Sequence, residues 1–171
     1  GKASCEGICT LIDIKYTPFI KAVFTSTTGS TDGKTCTYEQ WLRFVIVTGL
    51  YTKEELLTTI FNLFDTDMSG ALDGDEFKAM ADMLNASGAI FPGNFAFALQ
   101  GFDKNNDGLI DFDEFAELND NYQMIMWPLF ELQKNMQLHT LGDRVWFSLI
   151  KQNAKDRRVW DYQDKHGGLL P

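Results

Sequence analysis

The segment Asp65-Thr66-Asp67-Met68-Ser69-Gly70-Ala71-Leu72-Asp73-Gly74-Asp75-Glu76, with Phe64 before it and Phe77 after it, decides how this chain is read. Side-chain oxygens recur at Asp65, Asp67 and Ser69, return at Asp73, and the run closes on Glu76. Gly70 stands where a sharp turn calls for a left-handed backbone that side chains resist. This set of donors suits a hard cation that takes six to eight oxygens in a flexible shell. Asp65, Asp67 and Ser69 are expected as ligands, with the carbonyl of Ala71, with Asp73 directly or through water, and with Glu76 giving both oxygens. Leu72 is expected to form a short β-bridge to a partner loop.

The same arrangement begins again 38 residues later, in Asp103-Lys104-Asn105-Asn106-Asp107-Gly108-Leu109-Ile110-Asp111-Phe112-Asp113-Glu114. Here the expected ligands are Asp103, Asn105, Asp107, Asp111 and Glu114, with the carbonyl of Leu109, and Ile110 takes the bridging place. A run of acids is ordinarily a solvated turn. Oxygen donors, glycine and glutamate falling into place twice point instead to two calcium ions, and the closing glutamates favour calcium over magnesium, which resists a large bidentate shell. From Phe61 to Phe115 the chain resembles the EF-hand proteins of the calmodulin superfamily. The resemblance implies an all-α fold of EF-hand helix-loop-helix repeats, with short β-bridges between paired loops.

Charge agrees with this reading. The two loops hold ten of the 24 acids and one of the 15 bases, so the rest of the chain is formally neutral and the net charge of -9 belongs to the loops. Acidity so confined argues for a cation and against nucleic acid. A length of 171 residues with 44% hydrophobic side chains is ample for a core. No apolar run approaches the roughly 20 residues that cross a bilayer, so direct membrane insertion is not expected. Cys5, Cys9 and Cys36 cannot all pair and form no C-x-x-C, which suits a reducing, cytoplasmic setting. Both ends read as cut from something longer.

Apolar spacings of three and four predict helices over Ile12 to Phe24, Trp41 to Leu50, Leu56 to Phe64, Phe77 to Leu84, Phe95 to Phe102, Phe115 to Met126, Leu129 to Met136 and Val145 to Ile150. Thr52 and Glu55 form a capping box, Asn94 follows the Pro92-Gly93 break as a cap, and Pro128 opens a fresh helix. The resulting division is a metal-free hand over 1–50, hands over 51–85 and 94–126, a helical hairpin over 127–155 as a relic fourth hand, and an extension over 156–171. The first hand is expected to have lost its ligands and to carry a loop four residues too long, counted from Phe24 to Trp41. The hands pair either first with second and third with fourth, the arrangement favoured here, or second directly with third.

Met80, Met83, Met124, Met126 and Met136 read chiefly as core filling, with a soft groove for a target helix as the sharper reading, and the C-terminal helix is a candidate to fill that groove itself. Gly33-Lys34-Thr35 fails as a phosphate loop because Thr28 stands where its first glycine belongs. His139 and His166 lie far apart, and no constellation suggests an enzyme. Lys151, Lys155, Arg157 and Arg158, interrupted by Asp156, read as a solvated helix end that, with Trp160 and Tyr162 nearby, offers a docking place. The expected function is a calcium sensor module acting on a protein target such as an amphipathic helix. The rivals are a structural interaction domain of a cytoskeletal or membrane-associated assembly, and a calcium buffer.

Overall fold

The computed structural model describes residues 1–88, 101–121 and 126–165, with side chains followed to Asp156. The Asn94 cap, most of the Phe95 to Phe102 helix, Met124 and His166 fall outside these residues. The described chain is predominantly helical, with two small antiparallel strand pairs, and so is the all-α EF-hand fold.

The N-terminal third begins with a two-residue strand, β1 (Ala3–Ser4), and a short helix, α1 (Cys5–Leu11). The continuous helix expected from Ile12 does not form. Asp13 is left-handed, with a φ of 54°, and α2 (Pro18–Thr28) starts afresh on the Thr17 hydroxyl, which accepts from the Ile20 amide at 3.2 Å. Proline at the first helical place needs no partner for its missing N–H. The helix runs four residues beyond Phe24, because the Thr25, Thr27 and Thr28 hydroxyls donate to carbonyls one turn back at 2.8, 2.7 and 2.6 Å.

Gly29 ends α2 at a φ of 66°, β2 (Thr35–Cys36) follows, and Thr37 with Gln40 caps α3 (Tyr38–Leu50). Residues 29–37 therefore separate α2 from α3, as residues 65–73 separate the next two helices. The first loop is of ordinary length, and the count from Phe24 mistook the last turn of α2 for loop. Its strand does not meet another hand: β2 pairs with β1, Cys36 opposite Ala3 and Thr35 opposite Ser4.

α4 (Lys53–Phe64), β3 (Ala71–Leu72) and α5 (Gly74–Ala86) form the second unit; β4 (Ile110–Asp111) and α6 (Phe112–Asn121) follow in the third. The Thr52–Glu55 capping box opens α4 as expected. β3 pairs antiparallel with β4, Leu72 opposite Ile110 and Ala71 opposite Asp111. The second hand thus pairs directly with the third, and the favoured first-with-second arrangement is corrected. Aromatic edges lock the pair: Phe61 meets Phe112 and Phe115 with ring centroids 5.6 Å apart in each case, and Phe77 meets Phe102 at 6.1 Å. α2 packs on α4 and α5, joining this pair to the first unit in one continuous core.

α7 (Trp127–His139) has Pro128 in its first turn and reverses over Thr140 to Gly142 into α8 (Asp143–Lys165). The last element is helical through residue 165, so residues 156–165 continue α8 and do not form the separate extension expected. The hairpin packs on α3. Met126, Leu129, Leu132 and Met136 are buried, which bears out core filling for these methionines as for Met80. Gln133 and Gln137 donate to the Tyr51 and Gly49 carbonyls at 2.7 and 2.8 Å, supplying partners that the C-terminal end of α3 lacks. Trp146, buried, lies against Gly49 and donates its indole N–H to Thr140 Oγ1 at 2.9 Å.

Candidate metal centre

Each acidic loop is folded around its own carboxylates, and the two do so alike. At the first position, Asp65 accepts from the amides of Ser69 and Gly70 at 2.9 and 3.0 Å, and Asp103 accepts from Asp107 and Gly108 at 3.1 and 2.9 Å. At the third, Asp67 accepts from the Ser69 amide at 3.0 Å and Asn105 from the Asp107 amide at 2.9 Å. The closing glutamates reach back across the loop. Glu76 accepts from the amides of Thr66 and Asp73 at 2.7 and 3.2 Å; Glu114 accepts from Lys104 and Asp111 at 2.8 and 3.1 Å. Asp73 and Asp111 each take the glutamate's own amide at 2.9 Å, so a capping box of the helix doubles as the frame of the loop. The fourth positions, Met68 and Asn106, are left-handed at φ of 58° and 59°, followed by Gly70 and Gly108 at 86° and 83°.

This folding brings one oxygen each from Asp65, Asp67 and Glu76 within 4.8 Å of one another. Three like charges so close repel unless a cation lies among them. Ser69 Oγ and the Ala71 carbonyl, 2.9 Å apart, add neutral oxygens to the same loop. The Ser69 hydroxyl and amide hold the Asp67 carboxyl below the usual carboxylate range, so it stays ionised. In the second loop Asn105 replaces the third-position carboxylate, leaving Asp103, Asp107, Asp111 and Glu114 with the Leu109 carbonyl. An all-oxygen, carboxylate-rich set of this kind fits calcium.

The first loop has the same frame without a carboxylate at any ligand position. Aligned on the paired strands, Gly29 falls at the place of Asp65, Thr31 at Asp67, Gly33 at Ser69 and Gln40 at Glu76. Gln40 keeps only the capping role, accepting from the Thr37 amide at 2.9 Å. Asp32 holds the loop together instead. Its carboxylate accepts from the amides of Lys34 and Thr35 at 2.8 Å each, from the Thr35 hydroxyl at 2.7 Å and from the Ser30 hydroxyl at 2.8 Å. These donors keep its carboxyl well below the ordinary range. An Asp two residues before Lys34 and three before Thr35 is the turn signal that marks this role in the sequence.

Residues 42–84 match the family model of an EF-hand domain pair, and residues 98–119 match that of an EF hand. The pair model begins inside α3 and runs to Leu84, two residues short of the end of α5. The chain is 35% identical over 74 residues to the serine/threonine-protein phosphatase rdgC of Drosophila melanogaster, a stretch that covers 42% of this chain and 11% of the relative. It is also 35% identical over 72 residues to the serine/threonine-protein phosphatase with EF-hands 1 of Rattus norvegicus, covering 41% and 11%. The chain spans about a tenth of the length of these curated relatives. With its paired acidic loops, it is an EF-hand calcium-binding protein.

Proposed function

We propose that this chain is a calcium-responsive module in which two ions, one in each of the loops 65–76 and 103–114, alter how it meets a protein target. The observation that carries this reading is the β3–β4 bridge between two loops with matching networks. Neutralising one loop acts on Leu72 and, through Ile110, on the other, and both strands lead directly into α5 and α6. Asp65, Asp67, Ser69, Ala71, Asp73 and Glu76 serve the first ion, and Asp103, Asn105, Asp107, Leu109, Asp111 and Glu114 the second. The role proposed is binding. Three free, buried thiols fit reducing, cytoplasmic surroundings. The test is calcium-dependent exposure of apolar surface, read by a fluorescent apolar dye with calcium and with chelator. A rise with calcium supports the switch; an unchanged signal on a loaded protein contradicts it.

A structural role is the second reading, and the C-terminal hairpin favours it. Glutamines of α7 close the end of α3, and Asp32 closes the first loop, both without an ion. Half of the molecule is thus built to hold one shape. A target complex that survives chelator unchanged supports this reading against the first.

A further inference from the structure

We propose that the turn of the C-terminal hairpin and the outer side of α8 dock on an anionic phospholipid surface. Trp146 fixes α8 against α3 from one side, so the opposite side is held facing outward. Phe147, 72% exposed, stands on one flank of that side, and Val145 and Leu149, four residues apart and exposed, stand on the other, preceded by exposed Leu141 in the turn. Leu138, at the end of α7, is exposed as well. Between the two flanks run the cations. Arg144, Lys151 and Lys155 are exposed and spaced seven and four residues apart, which on an α-helix is one ridge. Among the described residues none of the three is in an ion pair, whereas Lys53, Lys78 and Lys104 are.

The charge of the chain is segregated in the same sense. Residues 127–171 carry seven Lys or Arg against five Asp or Glu, a formal +2 in a chain whose net charge is -9. Asp143 and Asp156 bracket the ridge, and Asp156 accepts from the Gln152 amide group at 2.7 Å. Large apolar side chains flanking cations on the outward side of a helix suit a flat, yielding, negative surface, where the cations meet headgroups and the apolar side chains enter the acyl boundary. No described helix is long and apolar enough to cross a membrane, so α8 lies on the surface and does not span it.

The test is vesicle flotation of the full chain in chelator, which removes calcium bridges between the acidic loops and lipid and keeps the result separate from the calcium reading. Phosphatidylcholine vesicles are compared with vesicles of roughly one-third phosphatidylserine. Partition into the second and not the first is expected, and added salt should release the protein. Lys151→Gln and Lys155→Gln should each weaken partition about five-fold. Phe147→Ala should weaken it as well, with the helical circular dichroism of each variant unchanged. Equal partition into both vesicles, no partition into either, or variants that bind as the parent does would overturn the proposal. So would binding to polyglutamate without binding to phosphatidylserine, which would assign the ridge to an acidic protein.

Discussion

Gly49→Ala would place a methyl group where the Trp146 ring already lies. A β-carbon at Gly49 falls 2.7 Å from Cη2 and 2.9 Å from both Cζ2 and Cζ3 of that ring, closer than such contacts occur. Two effects oppose one another. Alanine is favoured over glycine inside a helix by up to about 1 kcal/mol. Overpacking a filled site costs about 1–3 kcal/mol, and a ring pushed aside loosens the 2.9 Å bond to Thr140, worth about 1 kcal/mol more. Clash prevails because Trp146 is buried between α3 and α7 and has nowhere to retreat. A net loss of about 1–3 kcal/mol follows, which for a chain of this size lowers the melting temperature by roughly 3 to 10 °C. The assay is thermal unfolding by circular dichroism in chelator. In a Trp146→Leu background the same glycine change should be near neutral or stabilising, since the ring it strikes is gone. A Gly49→Ala protein as stable as the parent would refute the docking of the hairpin on α3.

Leu72→Ala removes a fully buried side chain from the β3–β4 bridge, so a loss of about 2–5 kcal/mol is expected. Calorimetry should find calcium binding weakened at both loops, and an effect limited to 65–76 would mean that the bridge does not couple them. Asp32→Asn should destabilise the first unit with and without calcium. The folded carboxyl of Asp32 is depressed, so its contribution is complete above the unfolded value near pH 4 and is lost as pH falls toward the folded one. The gap in melting temperature between parent and Asp32→Asn should therefore narrow on acidification; a gap independent of pH would rule out the ionised carboxylate as its source.

The acidic loops were legible because their information is local: the oxygens, the glycine and the closing glutamate lie within a dozen residues, and the backbone between them has one way to converge. The β-bridging residues Leu72 and Ile110 followed from the same positions. What they bridge to did not, since pairing of the second hand with the third depends on contacts such as Phe61 on Phe115 and Phe77 on Phe102, far apart in sequence. The threonines at the end of α2 read as loop because threonine disfavours helices, yet their hydroxyls bond back to the helix and their side chains fill the core. Thr17-Pro18 was a start signal in plain sight, outweighed by an apolar period that runs through it. β1 left no signal: two residues, Ala3 and Ser4, gain strand character only from Thr35 and Cys36 opposite.

The most direct measurement is a calorimetric calcium titration of the full chain in magnesium-containing buffer, run with Glu76→Gln and Glu114→Gln. Each glutamate holds two amides of its loop and supplies its closing oxygens, so the account predicts two sites in the parent and the loss of one site in each variant. No calcium binding by the parent, or variants that bind as the parent does, would contradict it.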